Sequence, residues 1–160
     1  MLAGRKDRPK GVIDTSVLIA GIAGLKLNVE SLRNPSAELL RDWLEHGTFI
    51  WLLSEEILQE YKAVMRRLGV RRNLIGKIVN LLREGAEFVQ VPATAGISPD
   101  PADDPFCACA ELMNAAFLVT LNPRDFPQKK LRTKVIGPGT ALPTTAPRRS
   151  RGNASPSRST

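Results

Sequence analysis

Oxygen-bearing side chains stand at distant points of the chain, each where an apolar strand or helix is predicted to begin or end. In "GVIDTSVLIAGIAG" (11–24), Asp14 separates a short apolar strand from an apolar helix. Asn122 and Asp125 follow the strand-like "AFLVTL", and Asp104 opens a predicted helix. Because ligands usually bind at the carboxyl edge of a parallel sheet, we expect these oxygens to meet at one rim.

A helix in the first half of the chain, "SEEILQEYKAVMRRLG", carries a further candidate acid. At about 100° per residue, Glu60 lies on the border of the apolar stripe of this helix, roughly 40° from Val64. Glu55 and Glu56 belong to its first turn, where they complement the helix dipole. Glu60 is therefore the acid of this helix that we expect to face a partly buried site.

Carboxylates gathered in a region of low dielectric repel one another unless a cation compensates their charge. Mg²⁺ and Mn²⁺ prefer hard oxygen ligands and keep several water molecules. Such an ion can position and activate a water and stabilise charge on a phosphodiester. Convergent carboxylates without histidine or cysteine thus predict a Mg²⁺ or Mn²⁺ site and metal-assisted phosphodiester hydrolysis.

Each acid taken singly also has a simpler interpretation. Asp14 and Asp104 are residues of the type that caps helices. Glu60 is compatible with an ordinary solvated helix surface. Asp100 and Asp103 are interpreted as loop or turn acids, either of which could assist through a water.

Strand and helix patterns alternate along the chain. Strands are predicted at 11–14, 48–53, 86–91, 116–121 and 134–137, and helices at 16–23, 35–46, 54–68, 71–84 and 104–115. This alternation implies βαβ crossovers and a mostly parallel sheet covered on both faces. The predicted fold class is α/β, a three-layer α/β/α sandwich with a central, mostly parallel sheet.

The net charge of +7 belongs to the two ends of the 160-residue chain. Residues 1–10 carry four basic groups and one acid, and residues 138–160 carry four arginines and no acid, so residues 11–137 are neutral overall. We predict a basic extension over 1–10, one folded domain over 11–140, and a disordered Pro/Ser/Arg-rich tail over 143–160. The high isoelectric point therefore says little about the folded body.

Cysteine usage and the first residues of the chain indicate the compartment. Cys107 and Cys109 lie two apart in a predicted helix, a spacing that disfavours a local disulfide and, without further ligands nearby, a zinc site. The start "MLAGRKDRPK" lacks the apolar stretch of a signal peptide, and no run approaches the length of a membrane span. We expect a cytoplasmic protein without membrane association.

Three ordered motifs resemble a known family. "VIDTSVLIAG", "LSEEILQEYKAVMRR" and "DPADDPFCACAELMNAAFLVTLNPRDFP" are similar to the PIN-domain ribonucleases, and among them to VapC-like toxins of type II toxin–antitoxin pairs. The resemblance covers roughly 11–140. It implies a PIN-like fold, a Mg²⁺- or Mn²⁺-dependent endoribonuclease acting on RNA, a cognate antitoxin that covers the rim, and a homodimer.

The resemblance also implies roles for individual residues. It assigns catalysis and metal binding to Asp14, Glu60 and Asp104. The family's last acid, in Thr-x-Asp, is replaced here by Asn122, so Asn122 or Asp125 is expected to complete the metal site.

Two hydroxyl side chains match positions that support the site in the family. Ser16 and Thr120 resemble the hydroxyl or amide positions that hold the first acid or the attacking water. They are therefore predicted as supporting residues.

Basic clusters are candidate RNA contacts. Lys129, Lys130 and Arg132, with Lys134, are expected near the metal site and are predicted to bind RNA. The run "RRLGVRR" (66–72) is interpreted as a solvated bend between helices, with binding of an RNA backbone as the alternative.

Two other functions compete with the nuclease interpretation. The first is a PIN-like module that has lost catalysis and binds RNA or a partner protein, which Asn122 favours. The second is a phosphoacceptor enzyme with Asp14 as nucleophile. Haloacid-dehalogenase-like enzymes of that kind have a second Asp two residues on, where this chain has Ser16.

Overall fold

The computed structural model describes residues 8–27, 34–91, 98, 100–144 and 147. Most of the predicted basic extension and nearly all of the predicted C-terminal tail lie outside these ranges, so the domain limits remain predictions. Within the described ranges, no helix is long and apolar enough to cross a membrane.

A five-stranded, wholly parallel sheet forms the middle of the molecule. Its strands are β1 (Lys10–Ile13), β2 (Ile50–Leu53), β3 (Glu87–Phe88), β4 (Phe117–Val119) and β5 (Lys134–Ile136). They follow the order β3-β2-β1-β4-β5, with every neighbouring pair parallel. The predicted α/β class with a three-layer arrangement and a parallel sheet is confirmed.

Helices connect the first four strands. They are α1 (Thr15–Leu27), α2 (Pro35–His46), α3 (Glu55–Arg67), α4 (Arg72–Gly85) and α5 (Asp104–Leu112). Side-chain caps fix the start of two of them, because Asn34 accepts from the Ala37 N–H at 3.0 Å and Ser54 accepts from the Ile57 N–H at 3.2 Å. Each cap satisfies a backbone donor that the first helical turn leaves free.

The core sits around the central strands, which read as continuous apolar runs because they are covered on both faces. All four residues of β2 and all three of β4 are buried. Aromatic side chains join the sheet to the helices: Trp51 lies 4.9 Å from Trp43 and 6.4 Å from Tyr61 between ring centroids, and Tyr61 lies 6.2 Å from Phe106.

Several predicted boundaries differ from the observed ones. Helix α1 is longer than predicted, and β4 is shorter, because it ends before Thr120. Strand β3 spans two residues instead of six, since it is an edge strand that pairs only through Leu52 with Glu87 and Leu53 with Phe88. Asp104 is the first helical residue of α5 rather than its cap, and Asp103 takes the N-cap position.

Candidate active site

Asp14 directly follows β1, and its backbone N–H donates to the Val119 carbonyl of β4 at 2.9 Å. The side chain is 7% exposed, and its Oδ2 accepts from Ser16 Oγ at 2.7 Å and from Thr120 Oγ1 at 2.8 Å. No backbone N–H of the described residues donates to this carboxylate, so Asp14 does not cap α1 with its side chain. Within the same part of the chain its Oδ1 accepts no hydrogen bond, which leaves one oxygen for a ligand.

The two hydroxyls on Asp14 are themselves oriented by backbone groups. The Leu121 N–H donates to Ser16 Oγ at 3.2 Å, and the Asn122 N–H donates to Thr120 Oγ1 at 3.0 Å. Each hydroxyl thus accepts from the loop after β4 and donates to Asp14. The loops that follow β1 and β4 are tied together around one carboxylate.

Helix α3 is fixed beside Asp14 by Tyr61. The Tyr61 hydroxyl donates to the Ile13 carbonyl at 2.5 Å and accepts from Trp51 Nε1 at 3.3 Å. Burial raises the pKa of Tyr61 well above its ordinary value; the hydrogen bond from Trp51 opposes this rise, and the negative charge of Asp14 adds to it. Glu60, the neighbouring residue on α3, is partly exposed.

The paired acids at the start of α5 have different surroundings. Asp104 is 1% exposed, and its Oδ1 accepts from the Ser98 N–H at 2.9 Å. Asp103 is half-buried and makes no side-chain cap hydrogen bond to α5. The structure therefore holds Asp104 against the preceding backbone and leaves Asp103 nearer to solvent.

Asp103 reports the electrostatic character of the rim. Burial, as the largest cause, and the negative charges of Asp14, Asp100, Asp125 and Glu60 together raise the pKa of Asp103 from 3.8 to about 6. Carboxylates from four separate segments thus share one negative field, which the interpretation of Asp103 as a loop acid missed. The only sequence signal for the part played by Asp103 was the doubled aspartate in "DPADDP".

The residues after β4 lie at the same edge of the sheet. Asn122 precedes a short 3₁₀ turn (Pro123–Asp125) and is exposed, without a side-chain cap bond to that turn. Asp125 is exposed as well, and its charge contributes to the raised pKa of Asp103. Both candidates for the last ligand are thus near the rim, and Asp125 is the one that contributes charge there.

The predicted basic cluster divides in the structure. Lys129 and Lys130 are exposed in a second 3₁₀ turn (Gln128–Lys130) on the path from β4 to β5. Arg132 Nε lies 3.5 Å from Glu111 Oε1, in the last turn of α5. Lys134 starts β5, opposite Phe117, at the amino edge of the sheet, and the binding of RNA by Arg132 and Lys134 stays a prediction.

The two thiols are buried and free. Burial first of all raises the pKa of Cys107 and of Cys109 to about 12, with nearby carboxylates adding to the effect. At neutral pH both remain thiols, which are poor nucleophiles and poor metal ligands.

The donor set of the rim consists of carboxylate, amide and hydroxyl oxygens, which suits a hard divalent cation. Among the residues that the structure describes, no group of three or more aspartate, glutamate, histidine and cysteine side chains is arranged to hold a metal ion. The expected gathering of three acids around one ion is therefore absent as a preformed cage. Mg²⁺ commonly takes one or two carboxylates and completes its shell with water, so the free Oδ1 of Asp14 fits such an ion.

A parallel α/β sandwich with acidic side chains along the carboxyl edge of its sheet defines the class of the molecule. Within that class, the chain belongs to the PIN domain family, whose model matches residues 10–124. PIN domains are generally nucleases.

Individual relatives are more distant. A protein of Paracoccus denitrificans (strain Pd 1222), named 3-dehydroquinate synthase, is 27% identical over 137 residues, which cover 75% of this chain and 37% of that protein. The chain thus spans little more than a third of that relative's length. The crystal structure of VapBC2 from Rickettsia felis, bound to a DNA fragment from its promoter, contains a chain with a TM-score of 0.51 and 13% identity. That match covers 79% of this chain and 96% of the other and reflects a shared fold.

Proposed function

We propose that this protein is a metal-dependent endoribonuclease that hydrolyses RNA phosphodiester bonds and acts as the toxin of a toxin–antitoxin pair. The observation that carries the proposal is the Asp14 carboxylate, which is held through Oδ2 by two hydroxyls and keeps Oδ1 free within the described residues. A carboxylate with a purely structural role would need its hydrogen bonds through Oδ2 but no free Oδ1. Membership of a family of nucleases supports the same conclusion.

The residues proposed to hold Mg²⁺ or Mn²⁺ are Asp14, Glu60 and Asp104, with Asn122 or Asp125 completing the set. When bound, the cation would help to activate water and neutralise charge on the phosphate. The protein's own part is to fix the Asp14 carboxylate in place and to concentrate negative charge at the rim. That charge, seen in the raised pKa of Asp103, favours the arrival of a cation.

A partner antitoxin and a cytoplasmic location complete the proposal. The similarity in fold to a chain of VapBC2 supports the antitoxin. An open apolar groove of about 550 Å³ between α1, α2 and α4 offers such a protein a surface, since exposed Leu44 and Leu81 line it. A homodimer remains part of the same proposal. The basic residues proposed to contact RNA are Lys129, Lys130 and Arg132.

The experiment compares the purified protein with Asp14→Asn on single-stranded RNA, with Mn²⁺ and with chelator. We expect Mn²⁺-dependent cleavage by the unaltered chain and its loss in Asp14→Asn. Asp42→Asn, at an exposed position of α2, is the matched control and should cut normally. Equal cleavage by the unaltered chain and Asp14→Asn would refute the nuclease proposal.

A second candidate function is a catalytically impaired PIN-like module that binds RNA or protein. Two observations favour it: Asn122 stands where the family has an acid, and the described residues contain no preformed metal cage. The same assay separates the two functions, because a module would bind RNA without cutting it. Asn122→Asp should then restore cleavage if the missing charge is the cause.

A further inference from the structure

Helices α3 and α4 form a hairpin with an open groove of about 630 Å³ along it. Its cationic lining residues are Lys62 and Arg66 from α3 and Arg72 from α4, and its apolar ones include Ile75 and Val79. Among the residues that the structure describes, no acidic side chain lines it. We call this surface the hairpin groove.

The three cations of the hairpin groove form no ion pair with another described residue. Within the part of the chain that the structure describes, the ion pairs involve other basic residues, and none includes Lys62, Arg66 or Arg72. Their helical neighbours at three and four positions along are likewise without acids. Because the folded body is neutral overall, this concentration of unpaired positive charge is a local feature.

The hairpin groove lies on a different side of α3 from the acidic rim. At about 100° per residue, the side chains of Lys62 and Glu60 are separated by roughly 160° around the helix axis, so they point to nearly opposite sides. Arg66 follows Lys62 by four residues and therefore shares its face. The groove is thus a second site rather than an extension of the carboxylate cluster.

The acidic rim creates a need for such a surface. The carboxylates at the carboxyl edge of the sheet repel a phosphate backbone that approaches the site. An RNA strand must gain its attraction from cations elsewhere on the molecule. Guanidinium groups match phosphate oxygens with paired donors, and the apolar floor of Ile75 and Val79 can contact sugars.

We propose that the hairpin groove binds the phosphate backbone of single-stranded RNA and anchors the substrate away from the point of cleavage. This inference rests on the proposed ribonuclease function for its choice of ligand. The described residues that line the groove include no aromatic side chain on which a base could stack. The contact should therefore be insensitive to RNA sequence and sensitive to salt.

The test measures binding of labelled oligouridylate in chelator, where no hydrolysis occurs, over a series of salt concentrations. The groove variant is Lys62→Gln/Arg66→Gln/Arg72→Gln. The matched control, Arg67→Gln/Arg71→Gln/Lys77→Gln, removes the same charge from the same hairpin at residues that do not line the groove. Thermal unfolding checks that both triple variants fold.

We expect the groove variant to lower the affinity for oligouridylate about tenfold or more. The slope of log affinity against log salt concentration should become shallower by about 2, because each lost phosphate contact removes roughly 0.7 from it. The control should keep a slope close to that of the unaltered chain. Equal losses in the two triples would overturn the proposal, because overall charge would then explain binding. If a triple fails to fold, the adjacent single variants Arg66→Gln and Arg67→Gln give the same comparison.

A second binding measurement, with polyglutamate in place of oligouridylate, distinguishes an acidic protein ligand from RNA. If the groove variant loses binding of polyglutamate but keeps that of oligouridylate, the groove binds acidic protein and the inference is overturned. Cleavage is measured separately with Mn²⁺. Absence of cleavage counts against the proposed function alone, whereas equal losses in the binding assay count against the groove alone.

Discussion

Asp14 is oriented by two hydroxyls, one from the helix that follows β1 and one from the residue that follows β4. Ser16 reaches it from the first turn of α1, and Thr120 reaches it from the end of β4. Because Thr120 also accepts the Asn122 N–H, one buried hydroxyl links the carboxylate to the loop that follows β4. A carboxylate fixed in this way need not reorganise when a ligand arrives.

Thr120→Val tests this link, because it removes the hydroxyl at a fully buried position and keeps the shape of the side chain. The change deprives Asp14 of a donor and the Asn122 N–H of its acceptor. We expect the free energy of unfolding to fall by about 1–3 kcal/mol and RNA cleavage to fall about 10- to 100-fold. Urea denaturation and the Mn²⁺ cleavage assay measure the two effects.

Thr15→Val is the matched control for Thr120→Val. The Thr15 hydroxyl is buried too, yet within the described residues it has no hydrogen-bond partner. Its removal should leave stability unchanged or slightly raised. If both variants lost stability and cleavage alike, the hydroxyl contact with Asp14 would not be the cause.

At the scale of elements, single polar side chains set how the helices and loops meet the sheet. Tyr61 joins α3 to the end of β1 and to Trp51 of β2. Glu111 joins α5 to the start of β5, since it accepts from the Arg132 N–H at 3.1 Å and the Thr133 N–H at 3.0 Å. In each case a side-chain hydrogen bond joins a helix to a strand or loop with which, in the described part of the chain, it makes no backbone hydrogen bonds.

Tyr61→Phe should loosen α3. The substitution keeps the ring and removes the buried partner of the Ile13 carbonyl and of Trp51 Nε1, so the free energy of unfolding should fall by about 1–3 kcal/mol. Urea denaturation measures the loss. Arg83→Gln is the comparison, because it removes only surface contacts: the exposed ion pair with Glu55 at 3.2 Å and the cation–π contact with the Phe88 ring at 5.5 Å. It should cost less than about 1 kcal/mol. Equal costs would contradict the role given to Tyr61.

Glu111→Gln should destabilise the protein in a pH-dependent way. Burial would raise the pKa of Glu111, but the backbone N–H groups of Thr133 and Arg132 outweigh it and lower the pKa below its ordinary value of 4.5. Ionised Glu111 therefore stabilises the fold above that value, and this contribution is lost as the pH falls through the folded-state pKa.

The measurement for Glu111→Gln is thermal unfolding as a function of pH. The difference from the unaltered chain should be present at neutral pH, about 1–2 kcal/mol, and should shrink in acid below the ordinary pKa. Glu84→Gln, at an exposed position of α4, should show no such trend. A difference that stays constant with pH would contradict the assignment.

At the scale of the whole molecule, β1 is the strand on which both the sheet and the site depend. It lies between β2 and β4, and Gly11 pairs with Trp51 on one side and Phe117 on the other. A side chain at Gly11 would meet the ring of Phe117, which is fully buried and packs against Phe49 at 5.5 Å. The ring would have to shift, because its nearest atom would overlap the added carbon.

Gly11→Ala should therefore destabilise the whole domain by about 1–3 kcal/mol or more. Gly76→Ala is the opposite case, because nothing lies within 4 Å of the added carbon in the interior of α4. That change should stabilise by roughly 0.5–1 kcal/mol. Thermal unfolding compares the two, and a stable Gly11→Ala variant would show that the central strands can shift.

Much of the fold could be predicted because its signals are local. The buried run around Ile13, the cap at Ser54 and the apolar stripe of α3 each follow from neighbouring residues. The two-residue length of β3 could not be predicted, since an edge strand is set by what its neighbour offers. The sequence position of Arg132 likewise gave no sign that it lies at the other edge of the sheet, beside Glu111.

By itself, the sequence determined the parallel α/β class, the family and the placement of Asp14 at the end of the first strand. The class and the placement of Asp14 depend on hydrophobic period and on residues that end strands or start helices, which act between residues near in the chain. The family was indicated by the resemblance of three motifs. Only the tertiary structure decided that Asp104 is the more buried aspartate of the 103–104 pair and that the hydroxyls of Ser16 and Thr120 hold Asp14. Those outcomes depend on burial and on charges from distant segments, and such interactions exist only once the chain has folded.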